Sequence, residues 1–276
     1  GFTTPESIDL HQILKMIRDG GIEYVPMEIS SHAIEMNRID DVKVDIGIFT
    51  NIGLDHLDFH KTQENYFNSK LKLFKNLSKN NLAILNNDDK YCNRIIENIK
   101  CNYLTYGFSE NSDLMIEHYK LNINYSKAKV KYQNKIYEFK TNLIGKYNLS
   151  NLMAAILCCI KIGISLNQII KSIKKINNIS GRLEKFTLNN NNIAIIDYAH
   201  TPDAYENIFK TVHEINSERK IITIFGCGGN RDKSKRPLMA NIAEKYSNEI
   251  YLTEDNSRYE NRENIFNDIM EGFKKN

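Results

Sequence analysis

Tryptophan is absent from this sequence, and proline and cysteine are scarce. The chain has 276 residues, of which four are proline and five are cysteine. No two cysteines have C-x-x-C spacing, so the sequence favours neither a disulfide framework nor a cysteine-rich zinc site. No apolar run approaches the roughly 20 residues that a membrane helix needs. We therefore expect a protein of a reducing, cytoplasmic compartment that has no membrane partner.

Neither sign of charge is in large excess. Lysine and arginine together number 37, and aspartate and glutamate number 34, which leaves a formal net charge of +3 with histidine neutral. Nucleic-acid binding needs clustered cations, and the sequence has no concentrated stripe of lysine and arginine, so we expect no nucleic-acid partner. A hydrophobic content of 41% and a length of 276 residues are typical of a globular protein with two domains.

Two glycine-rich nucleotide motifs are missing. The phosphate loop G-x-x-x-x-G-K-[ST] would need glycine at position 140 before Gly145-Lys146, and Lys140 is there instead. The dinucleotide motif G-x-G-x-x-G would need glycine where the sequence has Arg231, which disfavours a nicotinamide enzyme. The first ten residues contain neither an initiator methionine nor the basic and apolar regions of a signal peptide, so we expect a fragment.

Short apolar runs alternate with amphipathic stretches along much of the chain. This rhythm is typical of βαβ units and predicts an α/β fold with a mostly parallel sheet. Residues 119–125 and 127–139 alternate apolar and polar side chains, which predicts a half-exposed antiparallel hairpin. The turn at residues 180–182 precedes a second α/β unit. We therefore predict a central domain over residues 1–180 and a Rossmann-like, truncated C-terminal domain over 181–276.

The same patterns predict the individual elements. The first domain has predicted strands at 24–29, 46–50 and 82–85 and predicted helices at 7–20, 64–77, 148–164 and 166–176. The second has three predicted parallel strands at 193–196, 221–225 and 250–253 and predicted helices at 203–215, 237–246 and 262–274. Because ligands of parallel sheets bind at the carboxyl ends of the strands, we expect the functional side chains to lie there.

Ionisable side chains follow the first two predicted strands. Glu28, Ser30 and His32 come directly after 24–29, although Ser30 could equally cap a helix. Asp55, His56, Asp58 and His60 follow the second strand and supply four potential metal ligands within six residues. Carboxylates favour magnesium and histidines favour zinc, so a metal-dependent hydrolase stays open here. Lys70, on the next helix, would by itself be assigned to the solvent-exposed surface.

Polar clusters also follow the strands of the second domain. Asp197 and His200 come after 193–196, where helix capping explains the aspartate but not the histidine. The glycine-rich stretch 225–233 continues into a basic segment, and together they indicate a site for a carboxylate or phosphate. Its cations are Arg231, Lys233, Lys235 and Arg236, for which a solvated basic turn is the alternative. Residues 253–258 end the last strand with an acid, an amide and a guanidinium, which is a weak signal alone.

Nine segments in chain order resemble the Mur ligase family, and together they cover the whole chain. They are TTP (3–5), MEISSHAIEMNR (27–38), FTNIGLDHLDFH (49–60), NSK (68–70), YNLSN (147–151), GRLEKF (181–186), DYAHTPDA (197–204), FGCGGNRDKSKRP (225–237) and LTEDNSR (252–258). The resemblance implies a central ATPase-type domain followed by a Rossmann-like domain. It also implies an ATP-dependent amide ligase of peptidoglycan biosynthesis that works through an acyl phosphate, and a cytoplasmic monomer.

The substrates and cofactors implied by the resemblance are all small. They are ATP, UDP-N-acetylmuramoyl-L-alanyl-D-glutamate and meso-diaminopimelate, with Mg²⁺ as the metal. By resemblance, Glu28 and His56 are catalytic magnesium ligands, and Lys70 is a catalytic lysine that carbon dioxide carbamylates into a third ligand. This replaces the surface assignment of Lys70.

The resemblance also assigns binding residues. Those for the UDP-linked substrate and the amino acid are Thr3, Thr4, Ser30, Arg38, Arg231, Asp255, Asn256, Ser257 and Arg258. Those for the nucleotide are Asn148, Asn151, Arg182, Asp197 and His200.

The chain departs from the family pattern in several places. Met36 stands where the family often has glutamine, and Ser257 replaces the proline of the D-N-P-R segment of diaminopimelate-adding members. The uridine-binding domain, the phosphate loop and the last C-terminal section have no counterpart in these residues, so we expect a core fragment that is inactive alone. A folylpolyglutamate synthetase, a non-catalytic anion-binding remnant and a zinc hydrolase remain as alternatives.

Overall fold

The structure is a computed structural model that describes residues 3–53 and 55–274. A six-stranded sheet organises the first part of the chain, with its strands in sequence order. These are β1 (Ile46–Phe49), β2 (Leu82–Asn86), β3 (Asn102–Gly107), β4 (Leu114–Asn122), β5 (Tyr125–Tyr132) and β6 (Lys135–Thr141). Pairing is parallel from β1 to β4 and antiparallel from β4 to β6.

Helices cover both faces of this sheet. They are α1 (Ser7–Asp19), α2 (Ser31–Glu35), α3 (Leu57–His60), α4 (Gln63–Lys75), α5 (Cys92–Ile96), α6 (Lys146–Lys161) and α7 (Leu166–Ile173). The first four residues of β2, Leu82 to Leu85, are apolar, as is typical of a strand that is buried on both faces. Ile84 belongs to the core that contains Leu149 and Met153 of α6, and its neighbour Leu85 to the core that contains Phe67 of α4.

The second part of the chain contains two small sheets. Its elements are β7 (Glu184–Thr187), β8 (Ile193–Ile196), α8 (Pro202–Ile215), β9 (Ile222–Phe225), α9 (Lys235–Tyr246), β10 (Glu249–Leu252) and α10 (Arg262–Met270). Strands β9 and β10 pair in parallel, whereas β7 and β8 pair antiparallel. Phe209 of α8, Phe225 of β9 and Met239 of α9 share one core with Ile265 and Ile269 of α10.

The fold class is confirmed, and most predicted helices and strands are present. Three strand predictions were wrong. Residues 24–29 form no ladder, and residues 22–26 are exposed to solvent. The predicted hairpin is a three-stranded antiparallel meander that belongs to the main sheet, because β4 pairs with β3. Strand β3 was not predicted, since it begins with polar residues. The predicted third parallel strand of the second part, β8, pairs with β7 instead of with β9. The boundary between residues 180 and 181 stays a prediction.

The two parts of the chain pack closely at Gly145. Its φ of +100° is a conformation that side chains disfavour, and an added Cβ would lie 2.9 Å from Leu183 Cδ1 and 3.1 Å from Thr211 Cγ2. Lys185 Nζ of β7 also donates a hydrogen bond to Asn124 Oδ1 in the turn between β4 and β5. In the described ranges, no helix is both long and apolar enough to cross a membrane.

Candidate functional site

Three of the predicted substrate residues lie together, and their polar groups hold the local backbone. Thr4 Oγ1 donates to the Glu28 carbonyl at 3.0 Å and accepts from Ser30 N–H at 3.2 Å. Ser30 Oγ caps α2 by accepting from Ala33 N–H at 3.1 Å. Buried Arg38 donates to the Thr4 carbonyl at 3.1 Å. These contacts fix the segment that presents Glu28, while Thr3 is exposed nearby in sequence.

Imidazole rings gather beside this segment. The His32 ring lies 4.9 Å from the His56 ring and 5.7 Å from the His60 ring. His60 Nε2 is 2.9 Å from Ser31 Oγ, and the ring of Tyr66 stacks on His60 at 5.2 Å. Desolvation is the main cause that lowers the pKa of all three histidines. Their neutral forms, which can accept a hydrogen bond or bind a metal, are therefore favoured.

Lys70 of α4 faces the same cluster. Its Nζ lies 5.3 Å from the centroid of the Tyr66 ring, at cation–π distance. Desolvation lowers the pKa of Lys70, and the nearby charges of Glu28 and Asp55 oppose that change. The positive charge of Lys70 in turn helps to lower the pKa of His56. Glu28 and His56, which were predicted to act together with Lys70, thus both lie within electrostatic reach of it.

These residues fit a magnesium ion only if Lys70 is chemically changed. Among the residues that the structure describes, no group of three or more His, Cys, Asp and Glu side chains is arranged to hold a metal. An ammonium is a cation and has no lone pair for a metal. A carbamate on Lys70 would add oxygen ligands beside the Glu28 carboxylate and the His56 imidazole, which is a donor set that suits Mg²⁺ better than zinc.

Asp55 connects this cluster to the second part of the chain. Its Oδ2 lies 3.6 Å from His56 Nε2 and 3.5 Å from His200 Nε2. Burial would raise the pKa of Asp55, but the hydrogen bond with His200 and the charge of His56 outweigh it and lower the pKa to about 2. The same hydrogen bond raises the pKa of His200. Asp55 Oδ1 accepts from His56 N–H at 2.9 Å and so supports the left-handed backbone of His56, whose φ is 59°.

The predicted nucleotide residues divide into two groups. Asp197 accepts three hydrogen bonds, from Tyr147 Oη at 3.0 Å, Leu183 N–H at 2.8 Å and Ala199 N–H at 2.9 Å. Asn148 is buried and donates to a carbonyl of the preceding turn at 2.8 Å. Asp197 therefore joins the start of α6 to the turn before β7, and Asn148 fixes the start of α6.

The other nucleotide residues are open to solvent. Asn151 and Arg182 are exposed, and the Arg182 guanidinium lies 5.7 Å from the Tyr198 ring. His200 has an exposed side chain despite its contact with Asp55. These three side chains are therefore the ones that a ligand can reach.

The glycine-rich loop packs against the loop that ends β10. A Cβ on Gly229 would lie 1.9 Å from the Ser257 carbonyl oxygen, and one on Gly226 would lie 2.2 Å from the Thr253 carbonyl oxygen. Gly229 N–H donates to the Asn256 carbonyl at 2.9 Å. These glycines are thus needed for loop packing, and the prediction that they free backbone amides for an anion was wrong at Gly229.

The four cations after this loop have different roles. Arg236 has no exposed side-chain surface and forms ion pairs with Glu260 at 2.7 Å and Asp268 at 2.6 Å, and Lys233 joins Glu260 at 2.8 Å. The hydrogen bond from Arg236 is the main cause that lowers the pKa of Glu260. Assigning Arg236 to an anion ligand was therefore wrong, since its charge is already neutralised.

Arg231 and Arg258 keep exposed side chains. Arg231 lies within electrostatic reach of His32, so its loop faces the imidazole cluster. Arg258 donates one guanidinium hydrogen bond to the Gly229 carbonyl, and its N–H donates to Asn256 Oδ1 at 3.0 Å. Asp255 Oδ1 accepts from Asn256 N–H at 2.7 Å. Asp255 and Asn256 thus shape the turn that presents Arg258, and Ser257 packs its carbonyl against Gly229.

Sequence profiles of known families match this chain in two places. The profile of the Mur ligase middle domain matches residues 1–159. The chain belongs to the Mur ligase family. The profile of the Mur ligase glutamate ligase domain matches residues 181–276. Members of this family are ATP-dependent ligases.

Two curated Mur ligases resemble the chain over nearly all of its length. Both are named UDP-N-acetylmuramoyl-L-alanyl-D-glutamate–2,6-diaminopimelate ligase. The one from Fusobacterium nucleatum is 42% identical over 276 residues, which cover 99% of this chain and 56% of the relative. The one from Aquifex aeolicus is 43% identical over 277 residues, covering 99% of this chain and 55% of the relative. This chain therefore spans about half the length of these relatives.

A solved structure of a protein with the same name is similar in fold. The two structures superpose with a TM-score of 0.70 at 30% sequence identity, over 98% of this chain and 56% of that chain. The roles of the candidate site residues stay predictions.

Sequence reasoning missed two parts of the site. Tyr66 was not among the predicted site residues, although it lies four residues before Lys70 and hence on the same side of that helix. The link between Asp55 and His200 spans 145 positions and has no local pattern. The spacing of Tyr66 and Lys70 could have been recognised, whereas the second contact needs the fold.

Proposed function

We propose that this Mur ligase chain contributes to the ATP-dependent joining of meso-diaminopimelate to UDP-N-acetylmuramoyl-L-alanyl-D-glutamate. The two relatives with this activity in their names share more than 40% of their residues with it. In this reaction, the substrate carboxylate takes the γ-phosphoryl group of ATP. The amine of the amino acid then attacks the carbonyl carbon, a C–N bond forms, the C–O bond to phosphate breaks, and phosphate leaves.

The observation that carries the proposal is the desolvated amine of Lys70 beside Glu28 and His56. A lowered pKa increases the fraction of neutral amine, which is the form that attacks carbon dioxide. The new N–C bond gives a carbamate, and one proton leaves to solvent. The carbamate, Glu28 and His56 would then hold Mg²⁺. When bound, the ion would neutralise negative charge on the phosphoryl group and orient that group for transfer.

Side chains from both parts of the chain position this chemistry. Asp55 restrains His56 on one side and contacts His200 on the other, so it keeps the metal ligand and the nucleotide residue in fixed relation. Arg231 brings positive charge toward the cluster, where the substrates are anionic. Exposed Asn151 and Arg182 are the residues we assign to direct contact with the nucleotide.

We assign the choice of amino acid to Arg258, with Arg231 beside it in the neighbouring loop. Diaminopimelate differs from lysine by a second carboxylate, which a guanidinium can bind through two charge-assisted hydrogen bonds. Arg258 uses part of its guanidinium on the Gly229 carbonyl, and its side chain is otherwise exposed. Ser257 in place of proline leaves the turn less rigid, which lowers affinity without changing preference.

The test uses a chimera in which this chain replaces the matching part of the Fusobacterium nucleatum relative. We expect the chimera to release ADP when UDP-N-acetylmuramoyl-L-alanyl-D-glutamate and diaminopimelate are both present, and the 276-residue chain alone to release none. Arg258→Ala should sharply raise the KM for diaminopimelate, whereas Arg262→Ala, an exposed arginine in α10, should not. Equal use of lysine and diaminopimelate, or activity with folate instead, would sink the proposal.

A further inference from the structure

Lysines cluster on the outer face of the antiparallel strands β4, β5 and β6. The register places Lys120, Lys127 and Lys140 directly side by side across the three strands. Lys129 and Lys131 continue along β5 on the same side, because side chains two residues apart share a face. All five are exposed, and we call them the lysine face. Since its members come from three strands at alternating positions, the expectation that cations are nowhere concentrated was wrong here.

The lysine face is electrostatically unbalanced. Of the residues that the register pairs across this face, Glu138, opposite Lys129, is the one acid, and none of the five lysines forms an ion pair within 3–53 and 55–274. Five lysines and one glutamate give the lysine face a net charge of +4. The whole chain carries +3, so the remainder of the chain is close to neutral. Like charges directly opposite in a sheet are destabilising. The fold therefore holds an arrangement that favours an external anion.

The chemistry of the face indicates what kind of anion fits. It contains no arginine, so it offers no bidentate fork for a fixed phosphate or carboxylate. Its rings are the imidazole of His118, opposite Lys129, and Tyr125, which already lies 4.1 Å from Lys140 Nζ, so the face has no row of free aromatic rings for stacking successive bases. Three strands form a surface about 10 Å wide. Ile136, 63% exposed, lies opposite Lys131 and adds apolar contact.

We propose that the lysine face binds the protein to an anionic lipid surface. A bilayer of anionic headgroups is broad and fluid, so point charges attract it without needing fixed spacing or a groove. No residue of the candidate active site belongs to the lysine face, so lipid binding and ligase activity should be separable. The proposal also replaces the expectation of no membrane partner, and it does not depend on the proposed function.

The test is cosedimentation of the purified chain with vesicles. Vesicles of phosphatidylcholine alone are compared with vesicles that also contain phosphatidylglycerol, at low and high salt. We expect binding to the anionic vesicles only, and loss of binding as salt rises. Each lysine near such a surface contributes about fivefold to affinity. Replacing Lys120, Lys127 and Lys140 with glutamine should therefore weaken binding on the order of 100-fold.

A matched control removes the same charge elsewhere. Lys171, Lys174 and Lys175, at the end of α7, are also exposed, and their replacement by glutamine should change binding less than about threefold. Thermal unfolding verifies folding, and the pair Lys129→Gln and Lys131→Gln is the second variant of the face. Equal losses in both triple variants, no binding of the wild type to anionic vesicles, or tighter binding to soluble RNA than to vesicles would overturn the proposal.

Discussion

Buried positive charge is paired with carboxylates in the cluster around Arg236 but not in the cluster around Lys70. Arg236 is fully buried and meets two carboxylates, Glu260 and Asp268, at ion-pair distance. Lys70 is half-buried, and what faces its ammonium closely is the ring of Tyr66. Pairing makes Arg236 more firmly protonated, whereas desolvation makes Lys70 easier to deprotonate. The cluster around Arg236 therefore favours a permanent positive charge, whereas the cluster around Lys70 favours a change of charge.

This difference separates structural from chemical residues better than residue type does. Both regions carry cations after a strand or on the helix that follows, and both were predicted to bind ligands. Glu260 and Asp268 neutralise Arg236 inside the fold, although its buried Nε has no hydrogen-bond partner among the described residues, and these ion pairs join α9 to the loop after β10 and to α10. Neighbouring groups neutralise the charges around Lys70, His56 and Glu28 only in part. A substrate, a metal or a modification can therefore still alter the charge of this cluster.

Removing the amine of Lys70 should produce the largest change in activity. In the chimera described above, Lys70→Ala should lower ADP release about 100-fold or more, because the metal ligand that we propose at this position and its preorganised charge would be lost. The control is Lys75→Ala, an exposed lysine of the same helix, which should keep normal turnover. Near-normal activity of the Lys70 variant would reduce that residue to a packed lysine.

Removing Arg236 should produce the largest change in stability. Arg236→Met leaves Glu260 and Asp268 without their buried partner, so we expect the second part of the chain to lose about 3–5 kcal/mol of unfolding free energy. Urea unfolding followed by circular dichroism measures this change. Arg231→Met, at an exposed arginine of the loop before α9, should cost less than about 0.5 kcal/mol. Similar costs for both would contradict the contrast between the paired and unpaired cations.

Helices and strands with a strong local pattern could be predicted from the sequence. Predictions failed for strands whose formation depends on which other strand they pair with. Strands β1, β2, β9 and β10 are short apolar runs, and all were found. Residues 24–29 are also mostly apolar but form no ladder, because the side-chain pattern does not say whether a partner strand is available.

The site shows the same limit. Glu28 and His56 could be selected by residue type and resemblance, and Lys70 by resemblance alone; the structure places Glu28 and His56 within electrostatic reach of Lys70. That Arg236 is neutralised by Glu260 and Asp268 could not be predicted, since those partners lie 24 and 32 positions away in other elements.

The packing between the two parts can be tested at Gly145. Gly145→Ala should destabilise the chain by about 1–3 kcal/mol, because a positive φ is disfavoured and the methyl group would contact Leu183 and Thr211. Gly163→Ala is the matched control, since its φ is also positive, at +95°, but nothing lies within 4 Å. The difference between the two midpoints of thermal unfolding isolates the packing cost. Equal shifts would show that Gly145 matters for its backbone alone.

The smallest expected effect is on the titration of two histidines that share one carboxylate. His200 should titrate above its ordinary pKa because of the hydrogen bond with Asp55, and His56 below it because of desolvation. Proton NMR of the imidazoles measures both values, and Asp55→Asn should lower both. The Asp55–His200 contact then stabilises the fold below the ordinary pKa of histidine and loses this effect as pH rises through the raised value. An unchanged pKa of His200 in Asp55→Asn would exclude the contact.

Whether Lys70 accepts carbon dioxide is the most direct test of the contrast between the two clusters. The chain is incubated with ¹³C-labelled bicarbonate, and carbamate is detected by ¹³C NMR. We expect one carbamate resonance in the wild type and in Lys75→Ala, and none in Lys70→Ala. The absence of that resonance from the wild type, or its persistence in Lys70→Ala, would contradict the account.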